Sequence, residues 1–133
     1  MNTTTRAAVA AVVAAATLLT PSVALAKGGG GGGAANIASG ACGTATYKLK
    51  ADAKPANKVG AAFEVDANVA GQTWRVVIFH NGTRVMRTDF TTRGLSGSFV
   101  ARQLVPNAAG ADSFRARAVR LSDGQTCAAS VTF

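Results

Sequence analysis

Three sets of residues have types and spacings that could do chemistry. Glu64 and Asp66 stand two apart in an alternating segment, so an extended strand would hold their carboxylates on one face. A separation of roughly 7 Å is within reach of a glycosidase-type acid and base. Lys48 and Lys50, however, occupy the matching face of the preceding segment, and cross-strand charge pairing accounts for the acids without catalysis. His80 is the single histidine and abuts an Asn-Gly dipeptide, where it reads as a surface turn residue. One histidine and two cysteines fall short of a zinc site, and no serine is marked as a nucleophile beside a base. The expectation is no catalytic residue, no metal, no cofactor and no enzyme activity.

Cys42 and Cys127 are the third set. With two cysteines one pairing exists, and in an oxidising compartment a bridge is expected. Closing so long a loop stabilises a fold by about 4–5 kcal/mol. Acylation of Cys42 is disfavoured, because Ser39 stands where an aliphatic residue is expected and Cys127 would be left alone.

The compartment follows from the start of the chain. Arg6 precedes an apolar run from Ala7 to Leu19, and Ala24-Leu25-Ala26 supplies small residues for cleavage. That layout predicts a secretory signal peptide over residues 1–26 and a secreted, extracellular product beginning at Lys27. The run is shorter than the roughly 20 residues of a membrane span, so no transmembrane anchor is expected. Gly28–Gly33 is unbroken glycine, and residues 27–40 are expected to form a flexible arm. The folded domain is placed at residues 41–133.

That domain is strongly basic. The whole chain carries 14 Lys and Arg against 6 Asp and Glu, and losing Arg6 with the signal leaves about +7. Such a balance favours anionic partners, or simply keeps the protein soluble. The Ala-, Arg- and Gly-rich composition points to a GC-rich, actinobacterium-like source.

Period-two alternation runs through the domain, as in Tyr47, Leu49 and Ala51, in Phe63, Val65 and Ala67, and in Cys127, Ala129 and Val131. Asn81-Gly82 and Asp123-Gly124 each suit a two-residue type I′ hairpin turn. Asn81-Gly82-Thr83 also fits the glycosylation pattern, but the turn alone explains it. Seven strands are expected, near 44–51, 61–69, 73–80, 83–90, 97–104, 113–121 and 125–133.

Trp74 opens the third of these, where immunoglobulin-like domains keep a core tryptophan. Asp112-Ser113-Phe114-Arg115-Ala116 is similar to the start of their sixth strand, with Phe114 for the corner tyrosine and Ala116 for the cysteine. Residues 41–133 thus resemble an immunoglobulin-like or fibronectin type III-like module. The resemblance implies an all-β, seven-stranded antiparallel β-sandwich and a role in adhesion or binding.

Hairpin register then selects a face. A tight turn at 81–82 sets Phe79 opposite Arg84, Val77 opposite Met86 and Arg75 opposite Thr88, with Trp74, Val76 and Ile78 turned inward. A tight turn at 123–124 likewise sets Arg115 opposite Thr132 and Arg117 opposite Ser130. In an immunoglobulin-like sheet these hairpins adjoin, and Arg75, Arg84, Arg115 and Arg117 ring Val77, Phe79 and Met86 on the outer surface. An apolar patch rimmed by arginine suits an interaction surface. A weak homodimer contact, cover by the arm, or isolated surface residues are alternatives to a partner site.

The leading expectation is a secreted, non-catalytic binding or adhesion module for an anionic surface polymer or protein partner outside the cell. It would act as a monomer or weak homodimer without specific nucleic-acid recognition. The alternative is a small-molecule carrier or sequestering protein.

Overall fold

The computed structural model describes residues 35–133. The signal segment and the glycine run fall outside the described residues. The elements are β1 (Asn36–Cys42), β2 (Ala45–Lys54), β3 (Lys58–Asp66), β4 (Thr73–His80), β5 (Thr83–Thr91), β6 (Ser98–Pro106), β7 (Ser113–Arg120) and β8 (Thr126–Thr132). Two four-stranded antiparallel sheets, ordered β1-β2-β3-β6 and β5-β4-β7-β8, make an all-β sandwich compatible with an immunoglobulin-like module. Among the described residues no helix is long and apolar enough to cross a membrane.

The alternation dictates the layers. Leu49 and Ala51 of β2, with Val59, Phe63 and Val65 of β3, turn inward from the first sheet. Trp74, Val76 and Ile78 of β4, with Phe114, Ala116 and Ala118 of β7, meet them from the second. Trp74 is fully buried; its indole N–H donates to Gln72 Oε1 at 3.2 Å, so its polar atom is satisfied inside the core. Truncating a core aromatic such as Phe63 to alanine is expected to cost about 3–5 kcal/mol.

Among the described residues there are eight strands, not seven, and the extra one corrects the extent of the arm. Residues expected to be flexible, from Asn36 through Gly40, belong to β1 and pair along the edge of β2. Gly40 is there for close approach: a methyl group at that position would come within 2.8 Å of the Tyr47 hydroxyl oxygen. The far side of β1 meets β8. Asn36 Nδ2 donates to the Thr132 carbonyl, Gln125 Nε2 donates to the Cys42 carbonyl, and Cys42 is bonded to Cys127. The disulfide therefore ties the edge strand of one sheet to the edge strand of the other.

His80 corrects a second expectation. Instead of lying on the surface, its ring stacks on Phe114 with centroids 5.0 Å apart, and Nε2 lies 2.6 Å from Oδ1 of the fully buried Asp112. The Ala108 N–H donates to the same oxygen at 3.1 Å. Phe114 lacks the hydroxyl that a corner tyrosine would use, and the His80–Asp112 bond supplies a polar fastening at that corner.

Candidate functional site

The outer face of the second sheet is built by two hairpins that share the β4–β7 pairing. Asn81 and Gly82 have φ of 47° and 81°, as the tight turn between β4 and β5 demands, and His80 faces Thr83 and Phe79 faces Arg84 as expected. A bulge between Ile78 and Phe79 then shifts the register. Beyond it Ile78 faces Met86, Val77 faces Arg87 and Arg75 faces Asp89. Met86 is thereby corrected from the outer face to the inner one, where it packs against the core.

The bulge has a reason legible in the residues. Val85 and Phe90 both pack on the core, yet they are five positions apart, an odd number that uninterrupted alternation cannot place on one face. Without the extra residue Phe90 would face solvent. With it, Phe90 opposes Trp74 and stacks on Phe99 at 5.3 Å.

The second hairpin also departs from expectation, without changing faces. Asp123-Gly124 is not a two-residue turn: Arg120 and Gln125 bond across residues 121–124, and β8 pairs two residues away from the predicted register. Arg115 faces Ser130 and Arg117 faces Ala128. A shift of two preserves the side of every side chain.

The resulting surface is a lattice of rows. One row runs Arg84, Phe79, Arg115, Ser130, and the next runs Arg87, Val77, Arg117, Ala128. Val77 and Phe79 form a half-buried apolar stripe, with exposed Arg84 and Arg87 on one side and exposed Arg115 and Arg117 on the other. Strand spacing sets the two arginine columns about 10 Å apart, with about 7 Å between arginines in the Arg115–Arg117 column. The Arg115 guanidinium carbon lies 5.4 Å from the Phe79 ring centroid, so its stem shelters apolar surface while its charge stays wet. Tyr47 of β2, from the first sheet, joins Phe79, Arg115, Arg117, Ala128 and Ser130 in lining a depression on this side.

Charge pairing divides the arginines. Arg75 makes a forked contact to Asp89 at 2.8 and 3.0 Å, and that bond holds the Asp89 carboxyl below its usual range. Arg84, Arg87, Arg115 and Arg117 form no ion pair with any carboxylate of the described residues. Of the residues expected at the site, Val77, Phe79, Arg84, Arg115 and Arg117 are brought together. Arg75 lies in the next row, already neutralised, and Arg87 takes the place assigned to Met86.

Of the carboxylates considered for hydrolysis, Glu64 is a charge partner and Asp66 a backbone acceptor. Glu64 faces Lys48 across the β2–β3 ladder with 3.7 Å between charged atoms, and Asp66 Oδ1 accepts the Asn68 N–H at 3.1 Å. Among the described residues no cluster of three or more His, Cys, Asp or Glu could hold a metal ion. No protein-family model matches the chain, and no curated protein matches it.

Proposed function

We propose that the chain is a secreted, non-catalytic binding module of fibronectin type III-like build, and that the outer face of β5-β4-β7-β8 takes an anionic polymer outside the cell. In that reading β2, β3 and β6 correspond to strands A, B and E of such a sandwich, and β4, β5, β7 and β8 to C, C′, F and G. One observation carries the binding role: four arginines that form no ion pair stand in two columns astride Val77 and Phe79, with Arg87 alone near enough to Asp89 to feel its charge. Arginine's planar fork donates paired hydrogen bonds to carboxylate, sulfate or phosphate. A repeating anion can engage both columns at once, and simultaneous engagement multiplies weak contacts.

The test is binding of the intact chain to dextran sulfate over a salt series. Arg115→Ala with Arg117→Ala is expected to weaken binding about tenfold near 0.1 M salt, with each substitution costing less than about 0.5 kcal/mol in stability. Lys48→Ala with Lys50→Ala removes the same charge from the other sheet and is expected to change affinity less than about twofold. Equal losses from the two pairs would mean that net charge alone attracts the polymer, and the site would be abandoned.

A further inference from the structure

The outer face of the first sheet carries a separate concavity. Gly60 and Ala62 of β3 form its floor, between Lys50 and Asp52 of β2 on one side and Arg102 and Leu104 of β6 on the other. In register, Lys50, Ala62 and Arg102 make one row, and Asp52, Gly60 and Leu104 the next. Two adjacent small residues flanked by long ones leave a trough of about 350 Å³. That volume falls within the range of small-molecule sites, which are commonly about 300–1,000 Å³.

The side chains around the trough are held in place by one another. Lys54 lies over Gly60: a methyl group at position 60 would come within 2.7 Å of Lys54 Cε. Asp52 anchors both flanking lysines, with Lys54 at 3.0 Å and Lys50 at 3.4 Å. Burial works against the charged carboxylate of Asp52, but the bonds to Lys54 and Lys50 outweigh it and hold the group below its ordinary value. Arg102 is exposed and forms no ion pair with a carboxylate among the described residues. Two lysines thus share one anion beside an unpaired Arg102, around a floor without polar side chains, and Leu104, 54% exposed, adds an apolar wall.

We propose that this trough binds a small organic anion with a flat or compact apolar body, its acid group on Arg102 and its body on Ala62, Leu104 and the Lys54 stem that covers Gly60. Charge complementarity selects the anion, since Asp52 is occupied by two lysines and Arg102 is left to meet the ligand. The apolar floor selects a body that a bare phosphate or sulfate lacks. The site is on the opposite face from the arginine columns, so either can exist without the other.

Anilinonaphthalene sulfonate, an aromatic sulfonate whose fluorescence rises in apolar surroundings, is a suitable probe. Titration of the intact chain at about 0.15 M salt, where diffuse attraction is screened, is expected to show saturable enhancement. Ala62→Gln fills the floor without changing charge and is expected to weaken binding about tenfold, and Arg102→Ala about fivefold. Thermal unfolding would establish that both variants keep the fold. Arg115→Ala with Arg117→Ala is expected to leave dye affinity unchanged. The proposal is overturned if Ala62→Gln binds as well as the parent, or if the Arg115/Arg117 pair weakens binding as much as Arg102→Ala does. It is equally overturned if inorganic sulfate displaces the dye at the same concentration as an aromatic carboxylate such as naphthoate.

Discussion

On the outer face of the first sheet Lys48 meets Glu64, and Lys50 and Lys54 meet Asp52. On the outer face of the second, Asp89 is the sole carboxylate contributed by any strand, and Arg75 already holds it. The inner faces of the two sheets build one core by the same alternation, so the contrast does not come from folding requirements. Cross-strand pairs of opposite charge support a sheet, while clustered like charges repel within about a Debye length of 8–10 Å. On the first sheet Arg102 of β6 is the arginine that no carboxylate meets, and the lysines of β2 are paired. On the second sheet Arg84, Arg87, Arg115 and Arg117 gather without an ion pair around one apolar stripe.

Cutting the link between the sheets gives the largest expected effect. Cys42→Ser with Cys127→Ser removes the covalent tie between β1 and β8 and an 85-residue loop constraint from the unfolded chain. A loss of about 2–5 kcal/mol is expected in urea unfolding monitored by Trp74 fluorescence. Polymer binding measured well below the unfolding midpoint should persist, because the arginine rows rest on the β4–β5 and β4–β7 pairings and not on the bridge. Lost binding in a folded double variant would mean that the face depends on the β1–β8 edge.

A finer change tests whether pairing is what separates the two faces. Asp89→Asn frees Arg75 and adds a fifth unpaired arginine beside the stripe. Affinity for dextran sulfate is expected to rise about two- to fivefold, with steeper salt dependence, as the release of one surface charge implies. Glu64→Gln frees Lys48 on the first sheet by the same change in net charge. If it raises affinity equally, the two faces are equivalent to a polyanion and the contrast has no functional content.

The two hairpins show how much of this was legible. Inward and outward assignments in β7 and β8 survive although the register was misjudged, because the error was two residues and the side-chain period is two. In β5 one bulged residue reverses every assignment from Met86 onward, and only the odd spacing of Val85 and Phe90 carries a trace of it. β1 is obscured by composition: Ala38, Ser39 and Gly40 read as tether, and the partner that makes Gly40 useful, Tyr47, is visible only once the strands pair. His80 was placed by its neighbours Asn81 and Gly82, whereas its surroundings are set by Asp112 and Phe114, which the fold brings from 32 and 34 positions away. The trough over Gly60 and Ala62 likewise needs β6 beside β3, a pairing that skips two intervening strands.

The smallest expected effect concerns the other neutralised arginine of the second sheet. Arg120 ends β7 with its guanidinium carbon 5.6 Å from the Trp74 ring centroid, and its Nε donates to Asp123 Oδ1 at 2.8 Å. That bond, with a further one from the Gln125 N–H, lowers the Asp123 carboxyl to about 2, against an ordinary value of about 3.9 in the unfolded chain. Because the folded state holds the proton less tightly, Asp123 contributes stability fully above the unfolded value. The contribution fades as pH falls from about 4 and is gone below about 2. Asp123→Asn should therefore be slightly less stable than the parent near neutrality, and the gap should close over that acid window. Urea unfolding of both proteins at a series of pH values measures it directly. A gap of constant size from neutral pH to about 2 would show that the carboxylate's charge is not what matters, and that Asp123 serves only to shape the loop between β7 and β8. Since Arg120 leans on the core and away from the Arg115 and Arg117 column, the same substitution is expected to leave dextran sulfate binding within about twofold of the parent.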